Sequence, residues 1–290
     1  MTIPHFDEFI AIDWSGAAGR YNGIAVACCR PGRRPPSLVE PPGRYWTRTD
    51  IADWLEDRLN RRRPLLIGLD FAFSFPFERD LGYLGGLVPA VDDVFSLWSL
   101  IESSSRDEHD FGCASFINNP NYEYLFWRSG TKPSSWVERK RRTEHACAEA
   151  TSTRPDTLYK LLHSKQVGKA SITGIRVLHR IRSRGNAVAI WPFEAIRSSA
   201  IVEIYPTMFR KMATGSVAKL RNVGDLNEAM GRLGSRPMPN VAVGNLSDHD
   251  ADALISAVGL RAIAPKAETW TFSERMSSVV QREGWIFGVS

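Results

Sequence analysis

Four acidic positions stand where a soluble chain seldom leaves a carboxylate without a reason. Asp13, Asp70 and Glu203 each close or nearly close a short apolar run, and Asp252 sits within an apolar helical stripe. Asp is a poor strand residue, and an unpaired Glu in a sheet core costs several kcal/mol, so each position needs a partner. For Asp13 there are two readings. It accepts hydrogen bonds from the turn amides of Ser15 and Gly16, or it projects from a rigid sheet into a site. Asp70 carries the same pair of readings. If the runs that end in Asp13 and Asp70 are parallel neighbours, their carboxylates repel and raise each other's pKa unless a cation lies between them. Oxygen ligands of this kind suit hard divalent ions. For Glu203 a basic residue or a metal would serve, and beside Asp13 and Asp70 the metal is the expected partner.

The fourth piece runs from Ser247 to Val258. Ala251, Leu254, Ile255 and Val258 mark a helix, with Ser247 or Asp248 as its cap. Acids in a first helical turn are favoured by the helix dipole, which is reason enough for Asp248 and Asp250. Asp252 lies deeper, and Asp248 and His249 stand four and three residues before it on the same side. One face thus offers Asp248, His249 and Asp252 to a carboxylate site.

The elements that must position these groups follow from periodicity. Residues 9–13 and 23–29 read as a hairpin, residues 37–46 as a third strand, 49–59 as a helix capped by Thr49 or Asp50, and 64–71 as a strand. Ligands of open α/β sheets collect beyond the carboxyl ends of parallel strands, where Asp13 and Asp70 would lie. Further on, helices are expected over 92–101, 134–150, 172–184 and 207–213, and strands over 187–193 and 200–206. His179 reads as a helix-face residue. The pattern loosens over residues 72–165, which read as an insertion or lid on a single domain spanning 1–290.

A chain of 290 residues, 43% hydrophobic and 24% charged, has enough apolar material for one large core. No apolar run approaches the roughly 20 residues that span a bilayer, and the first eight residues show no basic leader. Cys28, Cys29, Cys113 and Cys147 form no CxxC pair, so buried thiols in a reducing, cytoplasmic compartment are expected. The net charge of +5 is locally concentrated. Arg61 to Arg63 suit the C-terminus of a helix. Arg128, Lys132, Arg139, Lys140, Arg141 and Arg142, interleaved with Trp127 and Trp136, suit either a solvated helix face or phosphate contacts with base stacking.

With these residues in hand the chain resembles the ribonuclease H-like superfamily in its Holliday-junction-resolvase-like branch. It is similar there to a group of predicted nucleases, domain-of-unknown-function family 429. The matching pieces are Ile10-Ala11-Ile12-Asp13, Ile67-Gly68-Leu69-Asp70, Val202-Glu203-Ile204-Tyr205-Pro206, His249-Asp250-Ala251-Asp252-Ala253-Leu254 and Glu283-Gly284-Trp285-Ile286. The resemblance implies a mixed α/β sheet of about five strands, opened by an antiparallel meander, with helices on both faces. It implies a nuclease that hydrolyses DNA or RNA phosphodiesters with two Mg²⁺ or Mn²⁺ ions, and leaves room for a homodimer. Asp13, Asp70, Glu203 and Asp252 would be catalytic and metal-binding, Asp248 a further ligand, and His249 an assistant to the second metal or the scissile phosphate. Trp14 departs from the small residues of many relatives and would narrow access to a duplex. Asp13-Trp14-Ser15-Gly16 also resembles the phosphate-binding hairpin of actin-like kinases and ATPases. A third reading is a non-catalytic nucleic-acid-binding module.

Overall fold

The first apolar run forms β1 (Glu8–Asp13), and β2 (Ala25–Cys29) returns antiparallel to it, with Asp13 opposite Ala25. A computed structural model of the protein describes residues 3–17, 23–88, 91–162, 167–185, 187–239, 246–272 and 274–289. The third strand, β3 (Ser37–Leu38), is far shorter than the expected 37–46, because Pro41, Pro42 and Gly43 follow at once and cannot extend a ladder. Helix α1 (Arg48–Asn60) is capped by Thr47, ahead of the expected Thr49 or Asp50. Asp50 is the third helical residue, and its carboxylate reaches back to the Thr47 N–H at 3.0 Å. Then β4 (Leu65–Leu69) pairs parallel to β1.

Next come α2 (Val94–Ser105), α3 (Ala114–Ile117), α4 (Arg142–Thr151) and α5 (Val167–Ser183). Strands β5 (Val188–Ile190) and β6 (Ser199–Glu203) lead into α6 (Pro206–Thr214) and α7 (Val223–Arg232). Helices α8 (Asp248–Ile263) and α9 (Glu274–Glu283) finish the chain. The six strands form one mixed sheet in the order β3-β2-β1-β4-β6-β5, antiparallel through β3, β2 and β1 and parallel from β1 to β5. The protein is therefore α/β, with one strand more than five.

Side-chain alternation divides the core into two layers. Ile10, Ile12, Ile67, Leu69 and Ile201 pack on one face of the sheet against α1, α2 and α5. Phe9, Ala11, Leu66, Ala200 and Val202 pack on the other against α6, α7 and α8. Adjacent Cys28 and Cys29 fall into different layers. The close approach of α8 requires Gly68, where an added Cβ would lie 2.8 Å from a Leu260 methyl. Described residues of the segment 72–165 contribute to this core. Phe73, Phe75, Trp98, Phe116 and Tyr159 join the same cluster as the sheet residues Ile10 and Ile67. Residues 134–141, expected to be helical, begin in a turn and continue without regular structure as a strap anchored by Trp136, whose indole N–H donates to the Leu125 carbonyl at 2.9 Å. No helix among the described residues is long and apolar enough to cross a membrane.

Candidate functional site

The same alternation aims the acids. Asp13 shares the α8 face with Phe9 and Ala11, and Asp70, two residues beyond Gly68, follows on that face at the end of the neighbouring parallel strand. The Asp70 N–H donates to the Ile12 carbonyl at 3.0 Å, so the ladder continues past β4 and fixes the two acids side by side. Over them lies the first turn of α8, fixed by a capping box. The Ser247 hydroxyl accepts from the Asp250 N–H at 3.0 Å, and the Asp250 carboxylate receives the Ser247 N–H. Asp250 is thus a capping residue. His249 and Asp252 point from that turn into the acids: the His249 Nδ1 is 2.5 Å from an Asp13 carboxylate oxygen.

Two residues with no sequence-based expectation complete the cluster. Arg210 of α6 pairs with one Asp252 oxygen and donates to the Thr207 hydroxyl at 2.7 Å. Lys219 reaches the other Asp252 oxygen at 2.5 Å. Arg210 stands among Met208, Phe209 and Ala213, all buried, and a cation embedded in an apolar helical stripe is the signal that would have flagged it. Lys219 follows a turn and carries no comparable signal.

The cluster holds three carboxylates against two permanent cations, and His249 makes up the difference only when protonated. Asp13 is 6% exposed; burial pushes its pKa up, the His249 hydrogen bond opposes this, and Asp252 adds to the rise. Asp70 is raised well above the ordinary carboxylate range, first by burial and then by the Asp13 and Asp252 charges. No described residue donates a hydrogen bond to its side chain. His249 is raised because Asp13 accepts from it, against the effect of its partial burial.

Glu203 lies elsewhere. It follows Val202 by one residue, so its side chain leaves the opposite face of the sheet. Both of its oxygens are engaged by Arg141, at 2.5 and 2.8 Å, and one also accepts the Phe73 N–H at 3.1 Å. The expected metal partner of Glu203 is replaced by a basic one. Arg141 serves Glu144 as well, at 2.6 Å, and donates to the Glu283 carbonyl at 2.9 Å. Burial pushes Glu144 up to about 7 despite that guanidinium. The Glu283 carboxylate, from the last matching motif, caps the Phe77 and Arg142 N–H groups. Asp248 also stands outside the acid cluster, nearly half exposed and 3.9 Å from Arg221.

The basic segment does not form one open surface. Arg141 is 1% exposed. Arg128 is held by Asn118 and Glu123, at 2.6 and 2.7 Å. Arg139 and Lys140 stand 3.4 Å from Glu78 and Glu138. Lys132 lies over the ring of Trp136, which is itself buried against Trp127. The Arg142 side chain is exposed and its backbone pinned by Glu283. Trp14 is core rather than a gate: it packs on Phe71 and donates to the Thr173 hydroxyl at 3.2 Å. In the hairpin of the actin-like alternative, Gly16 lies so close to α5 that a Cβ would stand 2.1 Å from the Ala170 nitrogen, and Arg48 holds the Ser15 and Ala17 carbonyls. The rest of that loop, residues 18–22, is outside the described residues.

The donor set fits a hard divalent cation in kind but is smaller than expected. Asp13 keeps one oxygen without a hydrogen bond from a described residue, and Asp70 keeps both, whereas Asp252 is committed to Arg210 and Lys219. As the side chains stand, no group of three or more His, Cys, Asp and Glu among the described residues is arranged to hold a metal. Comparison with known proteins gives no match to a family model, to a curated protein or to a solved structure.

Proposed function

We propose that the protein is a metal-dependent nuclease whose site is Asp13, Asp70, Asp252 and His249. The observation that carries this reading is the Asp13–Asp70 pair, closing adjacent parallel strands under a helix that adds a third acid and an imidazole. The antiparallel opening meander, the mixed sheet and the helices on both of its faces agree with what the ribonuclease H-like resemblance implies.

Asp13 and Asp70 would hold the divalent ion, while Asp252 keeps Arg210 and Lys219 beside them. A bound Mg²⁺ or Mn²⁺ supplies Lewis-acid polarisation of a phosphoryl oxygen and lowers the pKa of its water. The donor count suits one such ion better than two. Asp13 orients the imidazole by engaging Nδ1, which leaves Nε2 to exchange a proton with water or the leaving oxygen. Arg210 and Lys219 set two positive charges beside the acids, where they favour a phosphate group and oppose its departure.

The test uses labelled single-stranded, duplex and branched DNA and RNA with Mn²⁺, against a chelator control. Cleavage by the wild type is expected, with its loss in Asp13→Asn at unchanged circular dichroism. A wild type that cleaves none of these substrates, or an Asp13→Asn variant that still cleaves, would defeat the reading.

A further inference from the structure

The segment that looked most suited to polyanions is largely paired internally, but two arginines of a different group, Arg30 and Arg63, meet no carboxylate among the described residues. At the amino ends of β1 and β4 a cleft of about 420 Å³ is lined by Asp7, Glu8, Arg30, Arg58, Arg61 and Arg63. That volume falls within the roughly 300–1,000 Å³ of small-ligand sites. The cleft lies at the opposite end of the strands from Asp13 and Asp70, about 17 Å away at the rise of a β-strand.

The lining charges do not cancel. Glu8 is taken by Arg58. Arg61 meets Asp57 at 2.5 Å, a pair with both side chains more than half exposed and therefore weak. Arg30 and Arg63 meet no carboxylate among the described residues. Burial first, and then the neighbouring charges of Arg61 and Arg63, press Arg58 below its ordinary pKa. The negative end of α1 accounts for Arg58 in its last turn and Arg61 at its cap, but not for Arg63 beyond it or for Arg30 after β2. The Arg30 backbone is held in place, because the buried Arg261 guanidinium donates to the Arg30 and Arg34 carbonyls at 3.2 and 2.7 Å.

From this we infer that the cleft is a phosphate-binding site, separate from the acid cluster and independent of the nuclease reading. Guanidinium groups from two elements line one cleft, and their planar forks suit the oxygens of a phosphate. The phosphate comes either from a small ester or from a polynucleotide strand.

The full chain is titrated in chelator at low salt with pyrophosphate, by calorimetry, and with a fluorescein-labelled single-stranded 12-mer, by anisotropy. Saturable binding of at least one probe is expected, weakened about tenfold or more in Arg30→Ala/Arg63→Ala. Both side chains are exposed, and an unchanged urea midpoint verifies that the variant folds; Arg30→Gln/Arg63→Gln repeats the test if it does not. Pyrophosphate binding identifies a small ester, and binding of the 12-mer alone identifies a polynucleotide. No binding of either probe, or equal binding by the double variants, would overturn the site. Loss of binding in Arg128→Ala/Lys132→Ala instead would overturn it too. The titrations are run in chelator and read binding rather than cleavage, so failure of this site and failure of the nuclease reading remain distinguishable.

Discussion

Two clusters of acids lie on opposite faces of the same sheet. Around Glu203 the carboxylates of Glu144 and Glu203 converge on Arg141, and backbone N–H groups of Phe73, Phe77 and Arg142 occupy oxygens of Glu203 and Glu283. Around Asp13 only Asp252 is paired to permanent cations; Asp13 depends on an imidazole, and the Asp70 carboxylate accepts no hydrogen bond from a described residue. The first arrangement ties three distant stretches of chain together: the strap before α4, the end of β6 and the end of α9. The second spends stability to keep oxygens free. Buried acids alone do not make a site; acids left short of fixed positive charge do.

The comparison is broken most directly at Arg141. Arg141→Met leaves Glu144 and Glu203 buried without their cation and is expected to cost about 3–5 kcal/mol in urea unfolding. A loss below about 1 kcal/mol would mean that the network is not what joins these segments. The next test pairs one neutralising change from each region. Glu203→Gln should destabilise by roughly 2 kcal/mol, having given up charge-assisted hydrogen bonds. Asp70→Asn should stabilise the metal-free protein by on the order of 1 kcal/mol, having removed like-charge repulsion. Equal signs for the two substitutions would erase the distinction.

A subtler test is pH. Asp13, Asp70 and Glu144 are raised acids, so the folded chain holds protons that the unfolded chain has released. Their stabilising contribution is complete below the ordinary carboxylate range and is lost as pH rises through the folded values, near 7 for Glu144. His249, also raised, contributes below its ordinary 6.5 and loses that contribution above its folded value. Unfolding free energy in chelator should therefore fall between pH 5 and pH 8, with a smaller fall in Asp70→Asn. A rise over that interval would contradict these assignments.

Much of this arrangement was legible from residue patterns. Apolar runs ending in Asp13 and Asp70 located two parallel neighbours, and Ser247 with the Ala251, Leu254, Ile255 stripe located α8 and the inward Asp252. Glu203 misled because its role turns on strand parity. One residue of register separates the α8 face from the opposite one, and register is set by packing partners that the local sequence does not name. The basic segment misled for a related reason: Arg141 looks like its neighbours until tertiary structure brings Glu203 to it from 62 positions away. Arg210 and Lys219 were out of reach because the acid that needs them lies on another helix, 42 and 33 positions on.

Manganese titration, followed by the electron paramagnetic resonance of free Mn²⁺ at pH 7.5, bears most directly on whether the Asp13 cluster is short of positive charge in the way a metal site requires. The wild type should bind Mn²⁺ saturably, Asp13→Asn and Asp70→Asn should lose that binding, and a folded Glu203→Gln should keep it. A wild type that binds no Mn²⁺, or an Asp70→Asn variant that binds it as tightly, would contradict the account.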